Sequence, residues 1–322
     1  MLKYALRRIL ETIPTTIGIV LLTFVLFNVV GGSPAVTVLG KNASKETIEA
    51  FNRKYGYDKP LIFGPLTGAK DFFDTQFFNF ACDICKGDFG YSVESDEPVV
   101  DILKRGVGPS LSLTVPILLG GTIVALMLAM IASANRGGVF DKAVLFFSTA
   151  LMSINYVVWV LAGQFFLSFK LGVFPVWGYE GWFYLALPVA IGVFSSLGAD
   201  VRFFRMALLD EMYKPYVLTA RSKKLSQSVI MVRHVLRNAL IPVVTYVSLS
   251  IPYLFTGSLL LESFFGIPGL GNVSINAIHS ADMAVVRSVV VLGAIVYQFV
   301  NLATDLLYAL LDPRIRLNGA AV

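Results

Sequence analysis

Two cysteines stand as a C-x-x-C pair, Cys82 and Cys85, and the chain has no others. That spacing suits a disulfide, half of a tetrahedral metal site, or simply two positions on one helical face, since residues 77–86 can be helical. No second cysteine pair exists, and the two histidines, His234 and His279, are remote in sequence, so a four-ligand zinc site lacks its ligands. A nucleotide-binding loop, G-x-x-x-x-G-K-[ST], holds phosphate with backbone N–H groups and a lysine. The nearest fragment, Gly40-Lys41-Asn42, has Ala35 where the upstream glycine belongs and lacks the hydroxyl residue. Neither H-E-x-x-H nor G-x-S-x-G occurs. The expectation is therefore a chain that is not an enzyme and takes no cofactor or metal, so energy must come from elsewhere.

The richest chemical cluster is basic. Residues 213–242 read YKPYVLTARSKKLSQSVIMVRHVLRNALIP. After Pro215 the spacing is helical, with Tyr216, Thr219 and Ala220 on one side. Ser226 is a good N-cap for a second helix, because its hydroxyl can accept from a free N–H of the first turn. In that helix Val229, Val232 and Leu236 share a face and Arg233 and Arg237 lie opposite. Such a hairpin can lie on anionic lipid, dock into a groove on a partner protein, or be a solvated positive loop. Three further charges fall in or near apolar runs: Glu262, Arg287 and Asp305. Snorkelling explains Glu262 and Arg287 if they sit at an interface; Asp305 is expected to pair with Arg314 or Arg316.

The elements that must position these groups follow from composition. Of 322 residues, 56% are hydrophobic and 15% charged, against about a quarter charged in soluble domains. Six apolar runs are long enough to cross a bilayer, roughly 13–30, 111–134, 143–169, 182–199, 240–261 and 285–311. Lipid offers no hydrogen bonds, so they are helices or strands of a closed barrel. They are too long and too uniformly apolar for barrel strands, which makes the chain an all-α polytopic membrane protein. The first run follows Lys3, Arg7 and Arg8, but its apolar core is too long for a signal peptide, and it reads as a retained helix.

Orientation follows from the loop charges. Segment 202–238 holds eight basic residues against two acidic ones. Segment 31–108 holds nine basic and eleven acidic residues and is long enough to be translocated whatever its charge. Both signals place the N- and C-termini in the cytoplasm. Nucleic acid is not an expected partner, because no soluble domain backs the basic residues.

Along the chain, residues 47–55 read as a short helix capped by Ser44, and the Phe-rich 72–80 is expected to pack against the core. Pro116, Pro242 and Pro252 bend spans in ways that suit a pathway or plain packing. Residues 264–271 contain Gly266, Pro268, Gly269 and Gly271 after the fifth span. Irregular backbone there must be buried or line a wet cavity, so this is either an outer gate or a tight turn.

The chain resembles the permeases of ABC importers, most closely the first membrane subunit of the dipeptide/oligopeptide/nickel family. The likeness rests on Tyr216-Val217, Thr219-Ala220-Arg221, Ser222-Lys223, Leu225-Ser226, and Arg233-His234 through Arg237-Asn238-Ala239-Leu240-Ile241-Pro242. Glu262, FGIPGLG over 265–271, Asp305-Leu306-Leu307-Tyr308 and Leu311-Asp312-Pro313-Arg314-Ile315-Arg316 continue it. Pro34-Ala35, Gly56, Asp58, Pro60-Leu61 and Gly87-Asp88-Phe89-Gly90 extend it towards the N-terminus. The family usually has Gly where Lys224 stands, and Lys tolerates a left-handed turn only at a cost.

The resemblance implies six transmembrane helices in the type I importer permease fold, with a periplasmic insertion between the first two. The expected division is 1–30 (N-terminus and first span), 31–108 (periplasmic cap) and 109–322 (permease core, with coupling loop 202–238). It implies an ATPase-coupling site of Tyr216, Thr219, Ala220, Arg221, Lys223, Lys224, Leu225 and Ser226. Within it the arginine and lysines would supply charge and Tyr216, Ala220 and Leu225 the apolar contact. It also implies a gate or pathway segment of Glu262, Phe265, Gly266, Pro268, Gly269 and Gly271. Implied partners are a homologous second permease, two cytoplasmic ATPases that bind the ATP, an outer solute-binding protein, and the lipid of a bacterial inner membrane. The implied cargo is a peptide or related small solute. A secondary transporter or channel is the alternative, and a membrane-embedded enzyme is disfavoured by the sparse charges.

Overall fold

A computed structural model describes residues 2–30, 35, 39–40, 43–64, 74–251, 254 and 258–311. Twelve helices are used below. They are α1 (Leu2–Phe24, continued by a π-helical turn, Val25–Val30), α2 (Lys45–Tyr55), α3 (Gln76–Lys86), α4 (Val99–Ala134) and α5 (Val139–Ser153). Next come α6 (Tyr156–Gly163, continued as π-helix Gln164–Lys170), α7 (Trp182–Met212), α8 (Pro215–Ser222) and α9 (Gln227–Ser248). The last three are α10 (Leu259–Phe265), α11 (Leu270–His279) and α12 (Met283–Leu311). Among the described residues the only β-type pairing is an isolated bridge, Tyr91 to Pro98.

The fold is the expected all-α bundle, with corrections to its boundaries. Five helices are long and apolar enough to span: Arg8–Asn28, Val99–Ala134, Trp182–Met212, Gln227–Ser248 and Met283–Asp305. The expected third span is two helices, α5 and α6, bent by 92°. Ile154 is extended between them, and the Asn155 side chain accepts from Val157 N at 2.9 Å, which starts α6 afresh. The apolar run is unbroken there, so hydropathy does not register the break. Next, the fourth span does not stop at Ala199; α7 carries on to Met212, so Arg202 and Arg205 are helical rather than loop residues. Finally, the hairpin's second helix and the fifth span are one helix, α9, and α10 is a separate short element. Pro252 lies outside the described residues.

At the centre, α4 and α7 approach closely because small residues line their seam. A Cβ on Gly192 would come within 2.5 Å of Ile117 Cδ1, and one on Gly121 within 2.8 Å of Ser196 Oγ. Lipid gives no hydrophobic drive between helices, so close backbone packing of this kind supplies the contact. Two apolar clusters lie at opposite ends of this pair. One gathers Ala125, Ala129, Phe204, Leu208, Val217, Ala220, Ile230, Val235 and Ala239 at the end carrying α8. The other gathers Leu113, Val160, Leu185, Ile191, Leu261, Phe265 and Ile267 at the far end.

Flanking the pair, α1 runs beside α12. Thr15 and Gln298 are joined at 2.7 Å, and Arg8 pairs with Asp305 at 3.4 Å. Asp305 thus meets the first helix; the expected partners Arg314 and Arg316 lie outside the described residues. The segment before α4 forms α2, capped by Ser44, and α3, whose Phe77 and Phe80 pack on Phe24 of α1 with centroids 5.5 and 5.9 Å apart. Phe72 lies outside the described residues. Helix α4 starts at Val99, inside the segment expected to end at 108.

Candidate functional site

Helix α8 begins at Pro215, whose fixed φ and missing N–H suit a first helical position. Val217 and Ala220 are buried, at 0% and 4% exposure, in the cluster formed with α7 and α9. Half-buried Tyr216 donates its hydroxyl to Glu211 at the end of α7. Burial pushes the Tyr216 phenol above its usual pKa, and the Glu211 hydrogen bond adds to that. The opposite side of α8 and the turn after it is exposed: Leu218, Thr219, Arg221, Ser222, Lys223, Lys224, Leu225 and Ser226. Of the apolar trio, Leu225 thus faces solvent, whereas Ala220 is turned into the chain's own core; Leu218, at 56% exposure, is the apolar surface residue that sequence reasoning missed.

The turn has the strain its sequence foretold. Lys224 has φ +55°, in the left-handed region, and its N–H donates to Arg221 O at 2.9 Å. Ser226 caps the next helix by accepting from Val229 N at 3.4 Å. The expected apolar face of Val229, Val232 and Leu236 is not the buried one. Val229 and Val232 are exposed, and Ile230, Met231, Val235 and Ala239 pack inward. Met231, Val235 and Ala239 recur at four-residue spacing, and theirs is the stripe of α9 that meets α7 and α8, away from Val229 and Val232.

Behind this surface, Arg205 of α7 grips Asp141 of α5 with Nε–Oδ1 2.6 Å and Nη2–Oδ2 2.8 Å, while Gly137 N donates to Oδ2 at 2.8 Å. Of the eight cations assigned to segment 202–238, Arg205 is thus neutralised internally, and Lys214 pairs with Glu211 at 2.5 Å. Among the described residues Arg221, Lys223 and Lys224 have no carboxylate at ion-pair distance, so the net charge of the exposed turn is concentrated there.

The expected gate segment sits at the other end. Glu262 is not at an interface: it is wholly buried, and snorkelling does not describe it. Its Oε1 accepts from Ser110 Oγ at 2.8 Å and Ser258 N at 2.9 Å. Its Oε2 accepts from Gly271 N at 2.6 Å and Asn272 N at 3.2 Å. Ser110 Oγ in turn accepts from Leu270 N at 2.8 Å. The first three N–H groups of α11 are thereby satisfied, and the carboxylate lies at the positive end of that helix. Gly269 and Gly271 make room for it, since a Cβ on either would fall 2.4 or 2.8 Å from Oε2. Gly266 is left-handed, φ +68°, with the Trp177 indole against it, and Gly178 N donates to Phe265 O at 2.9 Å. In this turn Phe265, Gly269 and Gly271 are buried, Gly266 is half-buried and Pro268 is exposed.

Two further groups, Asp282 and Asp200, escaped notice in the sequence, and a third, Arg287, was noticed but read as an interfacial charge. Asp282, a buried N-cap of α12, accepts from Ser92 Oγ at 2.5 Å and Val93 N at 3.0 Å, tying α12 to the loop before α4. Asp200 lies within α7 and meets Tyr246 of α9. Arg287, half-buried, lies over the Phe80 ring at 4.8 Å, so α3 rather than open solvent receives it. Asp282 had a legible signal, an acidic residue just before an apolar run; Asp200 had only its position. Cys82 and Cys85 are free, exposed thiols on α3. No group of three or more potential metal ligands occurs among the described residues.

Comparison with known proteins agrees with this architecture. Residues 107–317 match the family described as "Binding-protein-dependent transport system inner membrane component", and residues 1–114 match its N-terminal companion. The chain is 31% identical to "Glutathione transport system permease protein GsiC" of Shigella flexneri serotype 5b, over 98% of this chain and 99% of that one. It has the same identity and coverage with GsiC of Escherichia coli strain K12. It is 29% identical to "Probable peptide ABC transporter permease protein y4tP" of Sinorhizobium fredii, over 97% and 99% of the two chains. Permeases of this kind are multi-pass inner-membrane proteins that work with another permease, ATPases and a solute-binding protein, and ATP hydrolysis belongs to those other subunits. The chain belongs to the binding-protein-dependent transport system inner membrane component family, as an ABC-importer permease for peptides or related solutes.

Proposed function

We propose that the chain forms half of a translocation pathway beside a homologous second permease, and that cytoplasmic ATPases drive it through α8. The observation that carries this reading is the two-sidedness of α8. Val217 and Ala220 pack it onto both α7 and α9, while Leu218, Leu225 and the cations Arg221, Lys223 and Lys224 face out. A short helix with an apolar and basic outer side suits a groove on a partner protein. Because α8 is packed on both neighbours, a push on it is passed to the ends of two spans, and a change in their tilt opens one side of a pathway and shuts the other.

The N- and C-termini and 202–238 then face the cytoplasm, as the positive charge favours, and 31–108 forms a periplasmic cap near the solute-binding protein. Glu262 and the 265–271 turn hold the outer end of the pathway in shape. The cargo is a di- or oligopeptide or a small related solute, a reading supported by the glutathione and peptide systems named for the relatives.

Magnitudes decide which residues to test. An exposed ion pair is worth about 0–1 kcal/mol, whereas full burial of a leucine is worth about 1.5–3 kcal/mol. Leu218→Glu with Leu225→Glu is therefore expected to abolish co-purification with the ATPase and ATP-driven uptake, without loss of the permease from the membrane. Undiminished complex and uptake would remove α8 as the docking helix.

A further inference from the structure

Asp200 lies inside the apolar part of α7, twelve residues before its end at Met212, or about 18 Å along the helix. Its Oδ1 accepts the phenolic O–H of Tyr246 in α9 at 2.9 Å. The Ser196 hydroxyl lies beside it and donates to Val193 O at 3.0 Å. From behind, Gly121 of α4 closes the site; a Cβ there would stand 2.8 Å from Ser196 Oγ and 3.8 Å from Asp200 Oδ2. The Tyr246 ring is stacked on Phe203 of α7, centroids 4.4 Å apart and 20° from parallel, and meets Phe204 edge-on at 5.8 Å. Among the described residues no cation forms an ion pair with Asp200, and the donor that answers its carboxyl group is the Tyr246 hydroxyl.

Helices α7 and α9 are the two arms that meet at α8. We infer that the Asp200–Tyr246 hydrogen bond is a brace between them, so that a push on α8 moves both arms as one body instead of splaying them. This rests on the reading that α8 receives the push of the ATPase. The stacked rings alone can slide past each other, because their attraction changes little with small lateral shifts. The hydrogen bond is directional. Separating the arms at this depth would leave a carboxyl group facing hydrocarbon with one donor lost, which is a heavy penalty where water cannot replace it. Tyr246 and Asp200 are accordingly positioning residues that touch no cargo.

The test uses the permease with its second permease, ATPases and solute-binding protein in proteoliposomes, and reads ATP hydrolysed per solute imported. Tyr246→Phe removes one hydroxyl and keeps the ring on Phe203. It is expected to raise that ratio about threefold, since an intramolecular hydrogen bond is worth roughly a factor of two to ten, while the complex still co-purifies. Asp200→Asn keeps an acceptor for Tyr246 and is expected to keep the wild-type ratio within about twofold. An unchanged ratio in Tyr246→Phe overturns the brace. So does a loss of import in Asp200→Asn with a normal Tyr246→Phe, which would assign the role to charge. Spin labels on the exposed positions Met206 and Val244 give a second readout. The distance distribution between the arms is expected to broaden in Tyr246→Phe whether or not wild type imports solute; an unchanged width argues against the brace, and failure of wild type to import with ATP argues only against the coupling reading.

Discussion

The Asp141–Arg205 pair is expected to behave as a single unit. The Asp141 side chain is 4% exposed and that of Arg205 15%, and the pairing is bidentate. Asp141→Leu leaves a mostly buried guanidinium without its counter-charge and removes the acceptor of Gly137 N–H. Breaking a buried pair from one side costs about 3–5 kcal/mol. The residual contact of Arg205 with solvent puts this case near the lower end, and the stranded N–H adds about 1 kcal/mol. The expected loss is therefore roughly 3–4 kcal/mol, with a similar loss of about 3 kcal/mol for Arg205→Met. The double variant, Asp141→Leu with Arg205→Met, strands no charge and is expected within about 1–2 kcal/mol of wild type. Two independent losses would sum to roughly 6–7 kcal/mol, so the double-mutant cycle should show a coupling of several kcal/mol. Unfolding by SDS in mixed micelles, followed by the fluorescence of Trp159, Trp177 and Trp182, measures each corner. Additive losses would refute the reasoning. So would a wild-type stability that falls steeply in high salt, because screening acts on exposed pairs far more than on buried ones.

Two other outcomes follow from local geometry. Glu262 accepts four hydrogen bonds and donates none, so Glu262→Gln must turn an NH2 group against two donors; it is expected to destabilise by about 2–5 kcal/mol, although its volume is unchanged, and the same SDS assay would detect a neutral result. Lys224→Gly relieves the left-handed strain, worth about 1–2 kcal/mol, and returns about 0.5–1 kcal/mol through the freer unfolded chain; the expected net gain is about 0.5–1 kcal/mol in that assay, with no gain for Lys224→Ala.

Much of this was legible because it is local. Ser44 and Ser226 act as caps for reasons that span three residues, and Lys224 adopts the turn that its place between two short helices requires. The failures share another property. Ala220 was assigned to an outer surface because its helix was read alone, yet α7 and α9 cover that side. Val229, Val232 and Leu236 were grouped as one face, but which stripe of α9 turns inward is decided by α7 and α8, and it is that of Met231, Val235 and Ala239. Glu262 was read by its distance from a span end, whereas its four donors come from α4, the start of α10 and the start of α11.

The sequence by itself determined that the chain crosses a membrane as helices and where its positive charge gathers. Those are sums over neighbours in the chain, and the bilayer imposes them with little regard to packing. Only the tertiary structure decided where the third apolar run breaks, which side of α8 is free, and which partners Asp141, Asp200 and Glu262 find. Arg205 is 64 residues from Asp141 and Ser110 is 152 from Glu262. Pairings at such separations depend on which helices lie side by side, and hydropathy carries no record of that.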